Sequence, residues 1–567
     1  MIEPRWRLIE ADESVTEHLH RALGIHPVLC RILAQRGICT VEDARRFFRP
    51  SLRELPSPFA LQDMERAVAR LEQAVDRSER ILLYGDYDVD GTTGVALLYT
   101  FFSRFHPNID YYLPHREQEG YGISSAGVEY ARRSGSTLIV AVDCGTHDHQ
   151  TISLAKSYGI DIIVCDHHLP EGHLPAAYAI LNPRRADCSY PHPHLSGCGI
   201  AFKLAQGLAL ARNTPAEELE DLLDFVALST CCDLVPLVGE NRALTFFGLS
   251  RMERRPRIGI WALLQQSQCT APLGVRDMVF GIGPMLNAAG RLSHAREAVR
   301  LLLAAERNSA LEQAARLARL SQQRRLLERS VARQAICQWN SRADAQERRG
   351  IVLFDPSCPR GIAGLVASRM VEHFYRPTIV LTRSGDQAVG SGRSVPGFNL
   401  HEALRHCRHL LTAFGGHLHA VGVQLPIGQV AAFAECFEEV VRQHLPKEAE
   451  MPELTLCACL DFVELTPSFW RILKQFAPFG PGNMTPIFWA KRVRDTGQSR
   501  ILSGGHVQLS VRQDDGPVWT GIGFGLAPAF ERLRSGPFDL AYSIEEDKYE
   551  HLGALRIRAR AARPPSA

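Results

Sequence analysis

Short apolar runs alternate with amphipathic stretches along the first part of the chain. Buried strands are predicted for the runs that begin at Arg80, Ile109, Ser136, Asp161 and Ala177. The stretches SSAGVEYARRSG and HQTISLAKSYG, which lie between these runs, have the residue spacing of helices. Alternation of this kind predicts a parallel sheet covered by helices.

The pattern changes twice further along the chain. Helices are predicted from about Ile200 to Trp339, where EQAARLARLSQQRRLLERSVARQAICQW has no Pro or Gly and predicts a long connecting helix. A second α/β unit is predicted from Gly350, with strands IVLFDP and PTIVLT around the helix GLVASRMVEHFY. After about Met451, short runs such as HVQLSVRQ and FDLAYSIEED predict a small β-barrel. We expect residues 1 to about 50 to form small helices and the last residues, ARAARPPSA, to form a frayed tail.

Composition narrows the class of protein only slightly. The 567 residues are 45% hydrophobic and 22% charged, which is typical of a soluble protein with several domains. No apolar stretch is long enough for a membrane span, and the first residues lack an apolar signal core, so no membrane partner and a cytoplasmic location are expected. The net charge of +2 does not by itself indicate a nucleic-acid partner. The 15 cysteines contain no CxxC pair, so reduced thiols are expected rather than a structural zinc site.

Acidic and histidine side chains recur where the predicted parallel strands end. In open α/β sheets the ligand site lies beyond the carboxyl ends of the strands, so these side chains are expected to converge in one cleft. They are Asp86, Asp88 and Asp90 after the first strand, Asp143 after a later one, Asp166, His167 and His168 after the next, and Asp233 after a helix.

Clustered carboxylates stay ionised near neutral pH only when cations lie between them. Oxygen ligands with one or two imidazoles suit Mn²⁺ or Mg²⁺, and two such ions form a clamp for phosphoryl transfer.

Taken singly, each motif has a simpler explanation. The DxDxDG run is compatible with a calcium loop or a solvated turn, although Leu97 stands where an EF-hand requires glutamate. The DHH triplet is compatible with a surface turn, and Asp233 with a helix cap. The joint pattern favours a two-metal phosphodiesterase and leaves the substrate open.

Longer motifs surround these side chains. They are YGDYDVDG, VDCG, DHH, ALSTCCDLVPLVGENR, PHREQEGYG, GPMLNAAGRL, GSGRS, FGGH and FAPFGPGNMTPIF. On these motifs the chain resembles the DHH phosphoesterase family, and within it the bacterial single-strand DNA exonucleases, over nearly its whole length. The resemblance implies an α/β fold with a parallel-sheet DHH core, a long connecting helix, a second α/β DHH-associated domain and a C-terminal OB-like β-barrel. The implied limits are 1–50 for the N-terminal helical segment, 51–304 for the DHH catalytic domain, 305–347 for the connecting helix, 348–445 for the DHH-associated domain and 455–560 for the OB-like domain.

The resemblance also implies roles for individual residues. Asp88 and Asp90 are implied metal ligands, Asp143 and Asp233 bridge or flank the ions, and His167 is the histidine ligand. His168 is implied to face the scissile phosphate, while Asp86 and Asp166 orient the ligands or bind in part. The implied contacts to DNA are His115, Arg116, Asn287, Arg291, Arg393, Ser394, Gly416 and His417.

The chain departs from the family's pattern away from the expected ligands. Cys358 and Pro359 replace a usual Trp-His pair, which puts a DNA-binding role of that turn in doubt. Thr146 and His147 replace a usual Ile-Thr pair, and Ser321 stands where Asn is usual. None of these positions is an implied metal ligand, so activity is expected to survive.

The implied activity is that of a monomeric 5′→3′ exonuclease that releases 5′-mononucleotides from single-stranded DNA with Mn²⁺ or Mg²⁺, two ions in all. The implied partners are a single-strand-binding protein and a RecQ-like helicase. Phe479, Phe488 and Trp489 are candidates for base stacking or for the barrel's core. The alternatives are a phosphodiesterase of cyclic dinucleotides or short oligonucleotides, a non-catalytic scaffold and a pure single-strand-binding module. Chain length argues against the first alternative, and the complete acidic cluster argues against the other two.

Overall fold

The N-terminal segment is joined to the far end of the chain. The computed structural model describes residues 3–547 and 555–565. Its first strand pairs in parallel with strand β12, some 450 residues later, so the prediction of helices alone over the first 50 residues was wrong at this strand. The elements of the segment are β1 (Arg5–Leu8), α1 (Glu13–Leu23), α2 (Pro27–Gln35) and α3 (Val41–Phe48).

The core sheet contains the predicted parallel strands. Its order is β3-β2-β4-β5-β6, and every neighbouring pair is parallel. The strands and the helices that cover them are α4 (Met64–Asp76), β2 (Arg80–Gly85), α5 (Val89–Phe102), β3 (Ile109–Tyr112), α6 (Ser125–Ser134), β4 (Ser136–Val142), α7 (His149–Ser157), β5 (Asp161–Cys165) and β6 (Ala179–Leu181). Because the strand order reverses between β2 and β4, a crevice is expected beyond the carboxyl ends of these two strands.

A helical layer follows the sheet and ends in one long helix. It comprises α8 (Gly197–Ala211), α9 (Ala216–Glu220), α10 (Leu223–Cys232), α11 (Gly239–Arg254), α12 (Ile258–Ser267), α13 (Val275–Asp277), α14 (Gly283–Leu292) and α15 (Arg296–Leu302), with a π-helical turn at Met278–Ile282. The long helix predicted from the sequence is α16 (Arg307–Asn340). Its buried face includes Ala310, Ala314 and Leu317, which pack on the core.

The second α/β unit is a five-stranded sheet of order β10-β11-β9-β8-β7. Only β7 and β8 are parallel, and β10 is an edge strand that pairs with β11 alone. The elements are β7 (Ile351–Phe354), α17 (Ala363–Phe374), β8 (Thr378–Ser384), β9 (Gln387–Arg393), α18 (Leu400–His406), β10 (Ala413–His417), β11 (Ala420–Pro426) and α19 (Val430–His444).

The predicted C-terminal barrel is also present. Strands β14, β18, β19, β17 and β16 pair in sequence, and β16 returns to β14 to close the ring. The elements are β12 (Glu453–Leu456), β13 (Ala458–Cys459), α20 (Pro467–Lys474), β14 (Phe488–Asp495), β15 (Arg500–Leu502), β16 (His506–Gln513), β17 (Trp519–Gly523), α21 (Ala527–Leu533), β18 (Phe538–Glu546) and β19 (Leu555–Arg563). The prediction of a frayed tail was wrong for Ala559 to Arg563, which complete β19 and pair with β18.

The barrel shares its hydrophobic core with the N-terminal helices. Phe47 of α3 packs edge-on against Phe476, with ring centroids 5.4 Å apart. Arg242 of α11 donates to the carbonyls of Phe47 and Ala477 at 2.6 and 2.8 Å, so one guanidinium ties the helical layer to both segments. Phe488 is fully buried among barrel residues, so of its two predicted roles the structure supports the core role.

The domain limits expected from the sequence stay predictions, because each limit depends on the linker residue at which one domain is taken to end and the next to begin. Over the part of the chain that the structure describes, no helix combines the length and the apolar character needed to cross a membrane.

Candidate metal centre and nucleic-acid cleft

The predicted acidic residues meet where the strand order reverses. Asp86 follows β2 directly, Asp143 follows β4 and Asp166 follows β5. Because these neighbouring strands are parallel and in register, their last residues lie side by side at one edge of the sheet. All three carboxylates are buried, with 4% or less of each residue exposed. The sheet therefore concentrates negative charge in the expected crevice.

The turn after β2 is shaped by a helix cap. Asp88 is the N-cap of α5, and its Oδ1 accepts from the backbone N–H groups of Asp90 and Gly91 at 2.8 and 3.3 Å. Glycine is required at position 91, because a Cβ there would lie 2.4 Å from the carbonyl oxygen of Asp86. The cap and the close approach together hold Asp86 and Asp88 on the same side of the turn.

Asp90 is oriented by a distant part of the chain. Its carboxylate accepts from the backbone N–H groups of Gly197 and Cys198, at 2.6 and 2.7 Å, and from Ser229 Oγ at 2.6 Å. The donors from Gly197 and Cys198 are at the N-terminus of α8, where backbone N–H groups favour an anion. Asp90 Oδ2 lies 3.6 Å from His167 Nε2, so these contacts aim it at the predicted histidine ligand.

Asp143 occupies the centre of the cluster. Its φ of 62° lies in the left-handed region, which a residue other than glycine adopts only under local constraint. Its Oδ1 lies 3.2 Å from His167 Nε2. Burial and the neighbouring carboxylates of Asp90, Asp88 and Asp86 raise the pKa of Asp143 well above its usual range. A buried carboxylate in this position needs positive charge beside it to remain ionised near neutral pH.

The DHH triplet divides into different roles. Asp166 Oδ1 lies 2.7 Å from His168 Nδ1, and Asp166 Oδ2 accepts from the Thr146 N–H at 3.0 Å. Burial alone would raise the pKa of Asp166, but these hydrogen bonds and the nearby imidazoles hold it below its usual range. Asp166 therefore stands behind His168 and orients it, whereas His167 turns toward Asp143.

His168 also contacts two side chains from other elements. Its ring stacks on that of His417, with centroids 5.6 Å apart and planes 19° apart. The hydroxyl of Tyr121 lies 3.0 Å from His168 Nδ1 and donates to the Asp143 carbonyl at 3.0 Å. His168 thus connects the metal side of the cleft to β10 on the opposite wall.

Three overlapping groups of side chains have ligand atoms within 4.8 Å of one another. Asp143 and His167 each belong to more than one group. The groups are Asp86, Asp88 and Asp143; Asp90, His167 and Asp233; and Asp143, His167 and His168.

The donor set fits divalent cations. Burial first, and then neighbouring carboxylates, raise the pKa values of Asp86, Asp88 and Asp233 as they do that of Asp143. Among the described residues, Asp86 Oδ1 is buried and has no hydrogen-bond partner, although such oxygens are ordinarily satisfied. Carboxylate oxygens with one or two imidazoles are ligands that suit Mn²⁺ or Mg²⁺. Cations at this position would satisfy both the charge and the unpaired oxygen.

A cleft of about 1480 Å³ separates the core from the second α/β unit. One wall includes Tyr121, His147, His168 and Leu169 of the core. The opposite wall includes cationic side chains and the edge strand, namely Arg360, His401, Arg405, Arg408, Phe414, Gly415, Gly416 and His417.

An arginine cluster lies at one end of the metal site. Arg116 is part of the cleft wall, and its guanidinium carbon is 4.7 Å from the centroid of the Tyr87 ring. Burial, together with the neighbouring guanidinium groups of Arg116, Arg324 and Arg393, lowers the pKa of Arg291 to about 9. Arg291 Nη1 donates to the Gly361 carbonyl at 2.9 Å, which links the core to the second unit. Clustered guanidinium groups beside an acidic site fit a ligand that carries phosphates.

The other predicted DNA contacts differ in their positions. Gly416 and His417 lie on the cleft wall, and Asn287 lies one turn before Arg291 on α14. His115 packs edge-on against His294 at 5.9 Å, while Ser394 Oγ donates to the Phe398 carbonyl at 2.8 Å. The contacts of all the predicted DNA-binding residues with DNA stay predictions.

The sequence reasoning missed some side chains at the site. Tyr121 lies within the PHREQEGYG motif, so the signal was present without a role being assigned to it. Ser229 likewise lies within the ALSTCCDLVPLVGENR motif without a role being assigned to it. Arg405 and Arg408 carried no comparable signal, because only the tertiary fold brings them to the site. The departure at Cys358-Pro359 leads directly into a 3₁₀ turn, Arg360–Ile362. Arg360 of that turn lines the cleft, and the carbonyl of Gly361 accepts a hydrogen bond from Arg291. The turn therefore contributes to the site despite the replaced residues.

Sequence profiles of known families match the three folded units. The DHH family N-terminal domain matches residues 80–230, the DHHA1 domain matches 348–443 and the RecJ OB domain matches 458–561. The single-stranded-DNA-specific exonuclease RecJ of Escherichia coli is 35% identical over 94% of this chain and 95% of its own length. The enzyme of the same name from Bacillus subtilis is 32% identical over 90% of this chain, which spans 64% of that protein.

Solved structures agree with these matches. Thermus thermophilus RecJ in complex with Mn²⁺ is 27% identical, with a TM-score of 0.85 over 99% of this chain and 80% of that one. The complex of the same protein with Mg²⁺ is 26% identical and has a TM-score of 0.77. The fold and the acidic cleft thus define a phosphoesterase of the DHH class. Within that class, the chain belongs to the RecJ family.

Proposed function

We propose that this chain degrades single-stranded DNA from its 5′ end and releases 5′-mononucleotides, in DNA recombination and repair. The observation that carries the proposal is the buried cluster of carboxylates and imidazoles, which meets a cleft with cationic side chains and an exposed edge strand on its far wall. Relatives at 31–35% identity are named single-stranded-DNA-specific exonucleases. The 5′→3′ polarity and the mononucleotide product are part of the proposal and rest on the resemblance to the family.

Two divalent ions are proposed at the cluster. Asp86, Asp88 and Asp143 would hold one, while Asp90, His167 and Asp233 would hold the other, with Asp143 between them. Such ions neutralise charge on the attacked phosphate and activate water. The protein fixes the carboxylates before any ion binds. The carboxylate of Asp90, for example, is held by hydrogen bonds from Gly197, Cys198 and Ser229.

His168 is proposed to face the scissile phosphate. Because Nδ1 is held by Asp166, Nε2 on the opposite side of the ring is the atom that remains to donate to a phosphoryl oxygen. The stacked ring of His417 and the hydroxyl of Tyr121 restrict rotation of the imidazole. Asp166 and Tyr121 act on the reaction through the position of His168.

The strand is proposed to lie between the arginine cluster and β10. Because β10 pairs with β11 on one side only among the described residues, the backbone N–H groups on its other side, in the stretch that contains Gly415 and Gly416, can bind phosphate oxygens. Gly416 has a φ of 130°, and a Cβ there would lie 2.4 Å from the Ala420 carbonyl oxygen, so the clamp needs glycine. The barrel is proposed to guide the strand further from the metals.

The remaining expectations belong to the same proposal. A single-strand-binding protein and a RecQ-like helicase are the proposed protein partners, and the enzyme is proposed to act as a monomer in the cytoplasm. These expectations rest on family membership. A phosphodiesterase of short oligonucleotides or cyclic dinucleotides remains the competing function, because the metal chemistry would be the same.

One experiment separates the two functions. Wild type, Asp143→Ala and the surface control Asp187→Ala are incubated with Mn²⁺ and a 5′-labelled single strand, its duplex or a cyclic dinucleotide. Asp187 is a suitable control because its side chain is 58% exposed. We expect the label to be released as a mononucleotide from the single strand only, by wild type and by the control. Cleavage of the cyclic dinucleotide alone would reject the proposal, and full activity of Asp143→Ala would reject the metal assignment.

A further inference from the structure

Two cysteines touch beneath the cleft wall of the second α/β unit. The Sγ atoms of Cys407 and Cys436 are 3.2 Å apart, and neither residue belongs to the catalytic site. Cys407 ends α18 and is buried, whereas Cys436 lies on α19 and is partly exposed. The thiol that solvent can reach is therefore in direct contact with one that it cannot reach.

The two helices hold this pair in place. The rings of His406 on α18 and His444 on α19 stack with centroids 5.1 Å apart, which gives the helices a second contact beside the sulfur atoms. Cys407 packs in the hydrophobic core of this unit, and Cys436 lies against the same core. A disulfide requires a sulfur separation of about 2.05 Å, so the two atoms need to approach by only about 1 Å. Small side-chain rotations suffice for such a change.

We propose that Cys407 and Cys436 form a redox site that peroxide converts to a disulfide. The thiolate of Cys436 attacks one oxygen of hydrogen peroxide, which yields a sulfenic acid on Cys436 and releases hydroxide. The sulfur of Cys407 then attacks the sulfur of Cys436, and the hydroxyl leaves as water with the Cys407 proton. In sum, two thiols and one peroxide give one disulfide and two waters.

The difference in burial sets the order of these steps. Burial raises the pKa of the Cys407 thiol well above its usual range, so that Cys407 is not the first nucleophile. Its contact with Cys436 makes it the resolving thiol, which protects Cys436 from further oxidation to the sulfinic acid. In a reducing compartment, thiol exchange returns the pair to its reduced form.

The pair supports the wall that carries the clamp. Arg405 and Arg408, on either side of Cys407, both line the cleft, and β10 with Gly416 begins a few residues later. A disulfide would tie this segment to α19 and close the loop between residues 407 and 436. Because the sulfur atoms already touch, the bond stabilises the wall and leaves the cleft residues where they are.

The test uses the full chain, reduced and then treated with hydrogen peroxide. Remaining thiols are blocked with N-ethylmaleimide, and peptides are identified by mass spectrometry. We expect a peptide linked through Cys407 and Cys436 in wild type and in Cys337→Ser, whose exposed cysteine on α16 serves as the matched control. Cys436→Ser should lack the linked peptide.

Stability and activity provide the second readout. The Tm of oxidised wild type and oxidised Cys337→Ser is expected to exceed that of the reduced forms by roughly 3 °C, while that of Cys436→Ser does not rise. Exonuclease activity should change by less than about twofold. The inference is overturned if Cys436 is recovered as a sulfinic acid with Cys407 still alkylated, or if the rise in Tm persists in Cys436→Ser. A tenfold loss of activity that depends on both cysteines would likewise contradict an undisturbed cleft.

Discussion

The two walls of the cleft hold their polar groups in opposite ways. On the core wall, the carboxylates of Asp86, Asp90 and Asp143 are buried, and they are positioned by strand ends and by the N-terminus of a helix. On the far wall, β10 exposes glycine backbone and the ring of His417. Negative charge in a buried site repels phosphates until cations neutralise it, whereas exposed backbone binds phosphates without help. The core wall should therefore control turnover, and the far wall should control binding of the strand.

Removal of the metals should have the largest effect. Chelation is expected to lower exonuclease activity to background, because the carboxylates then repel the substrate and no cation activates water. Activity should return on addition of Mn²⁺ or Mg²⁺. Activity that persists in the chelated protein, measured on a labelled single strand, would contradict the division between the walls.

The stability of the metal-free protein should also depend on pH in a defined direction. Burial and like charge raise the pKa values of Asp86 and Asp143 above the ordinary 3.8, so the folded state binds protons more tightly than the unfolded state. This contribution to stability is fully present below about pH 4 and is lost as the pH rises through the folded-state pKa values. Bound cations favour the ionised form, so the gain in Tm on adding Mn²⁺ should increase from pH 5 to pH 8. Calorimetry with and without chelator measures this gain, and an equal gain at both pH values would contradict it.

Asp88→Asn should reduce kcat by roughly 10³-fold, or about 4 kcal/mol of barrier. Asparagine keeps the side-chain oxygen that caps α5 and removes the charge. The matched control is Asp12→Asn, which makes the same change at the N-cap of α1 in the N-terminal segment. Steady-state kinetics and Mn²⁺ titration should show loss of both metal affinity and kcat in the first variant only. An equal loss of kcat and metal affinity in both variants would mean that the change at a helix cap was responsible, and not the loss of negative charge beside the metals.

Arg291→Ala should raise KM for single-stranded DNA by about 30- to 100-fold and leave kcat within roughly threefold. The guanidinium lies in a cluster with Arg116 and Arg393 beside Asp88, where a phosphate would relieve the repulsion between like charges. Loss of one phosphate contact should also reduce the slope of log KM against log salt by about 0.7. Arg319→Ala, on the exposed face of α16, is the control. A drop in kcat with KM unchanged would mean that Arg291 acts on turnover, as the carboxylates of the core wall do.

Gly416→Ala tests the backbone clamp itself and should raise KM by roughly tenfold. The added Cβ meets the Ala420 carbonyl oxygen at 2.4 Å, and the φ of 130° is strained for alanine. Gly428→Ala provides the control, because a Cβ there meets no atom within 4 Å. Fluorescence anisotropy with a labelled single strand and Ca²⁺ measures binding without turnover. Unchanged binding by Gly416→Ala would remove β10 from the strand path.

The contrast between the walls also explains which parts could be predicted from the sequence. Strands β2, β4 and β5 are short runs of buried apolar residues, so they stand out from the helices between them. The expected metal ligands lie at the carboxyl ends of these strands, so the order of the strands also predicts where the metal site is. Ser229, by contrast, holds Asp90 from 139 residues away, and no local pattern records that contact. The far wall carried little signal beyond its family motifs, because it combines backbone groups of β10 with arginines such as Arg405 and Arg408 that only the fold brings to the cleft.

The two wrong predictions, at the two ends of the chain, both concern strands that form only by pairing with other segments. Strand β1 exists because Arg5 to Leu8 pair with residues that start at Glu453, a contact between distant segments. The last strand contains an alternation of arginine and apolar residues that resembles a polar tail. In the barrel, however, Ile557 and Ala559 point into the core while the arginines stay partly exposed. Only the pairing with β18 makes that pattern a strand.

Tyr121→Phe should have the smallest effect, because Tyr121 belongs to the core wall but acts there only by holding His168 and the backbone of Asp143. Its hydroxyl donates to the Asp143 carbonyl at 3.0 Å and lies 3.0 Å from His168 Nδ1. Loss of one such hydrogen bond is worth about 1 kcal/mol, so kcat should fall roughly fivefold with KM unchanged. Tyr158→Phe removes an exposed hydroxyl at the end of α7 and serves as the control. A rise in KM instead would show that the hydroxyl contacts the strand, and the position of His168 would then depend on Asp166 and His417 alone.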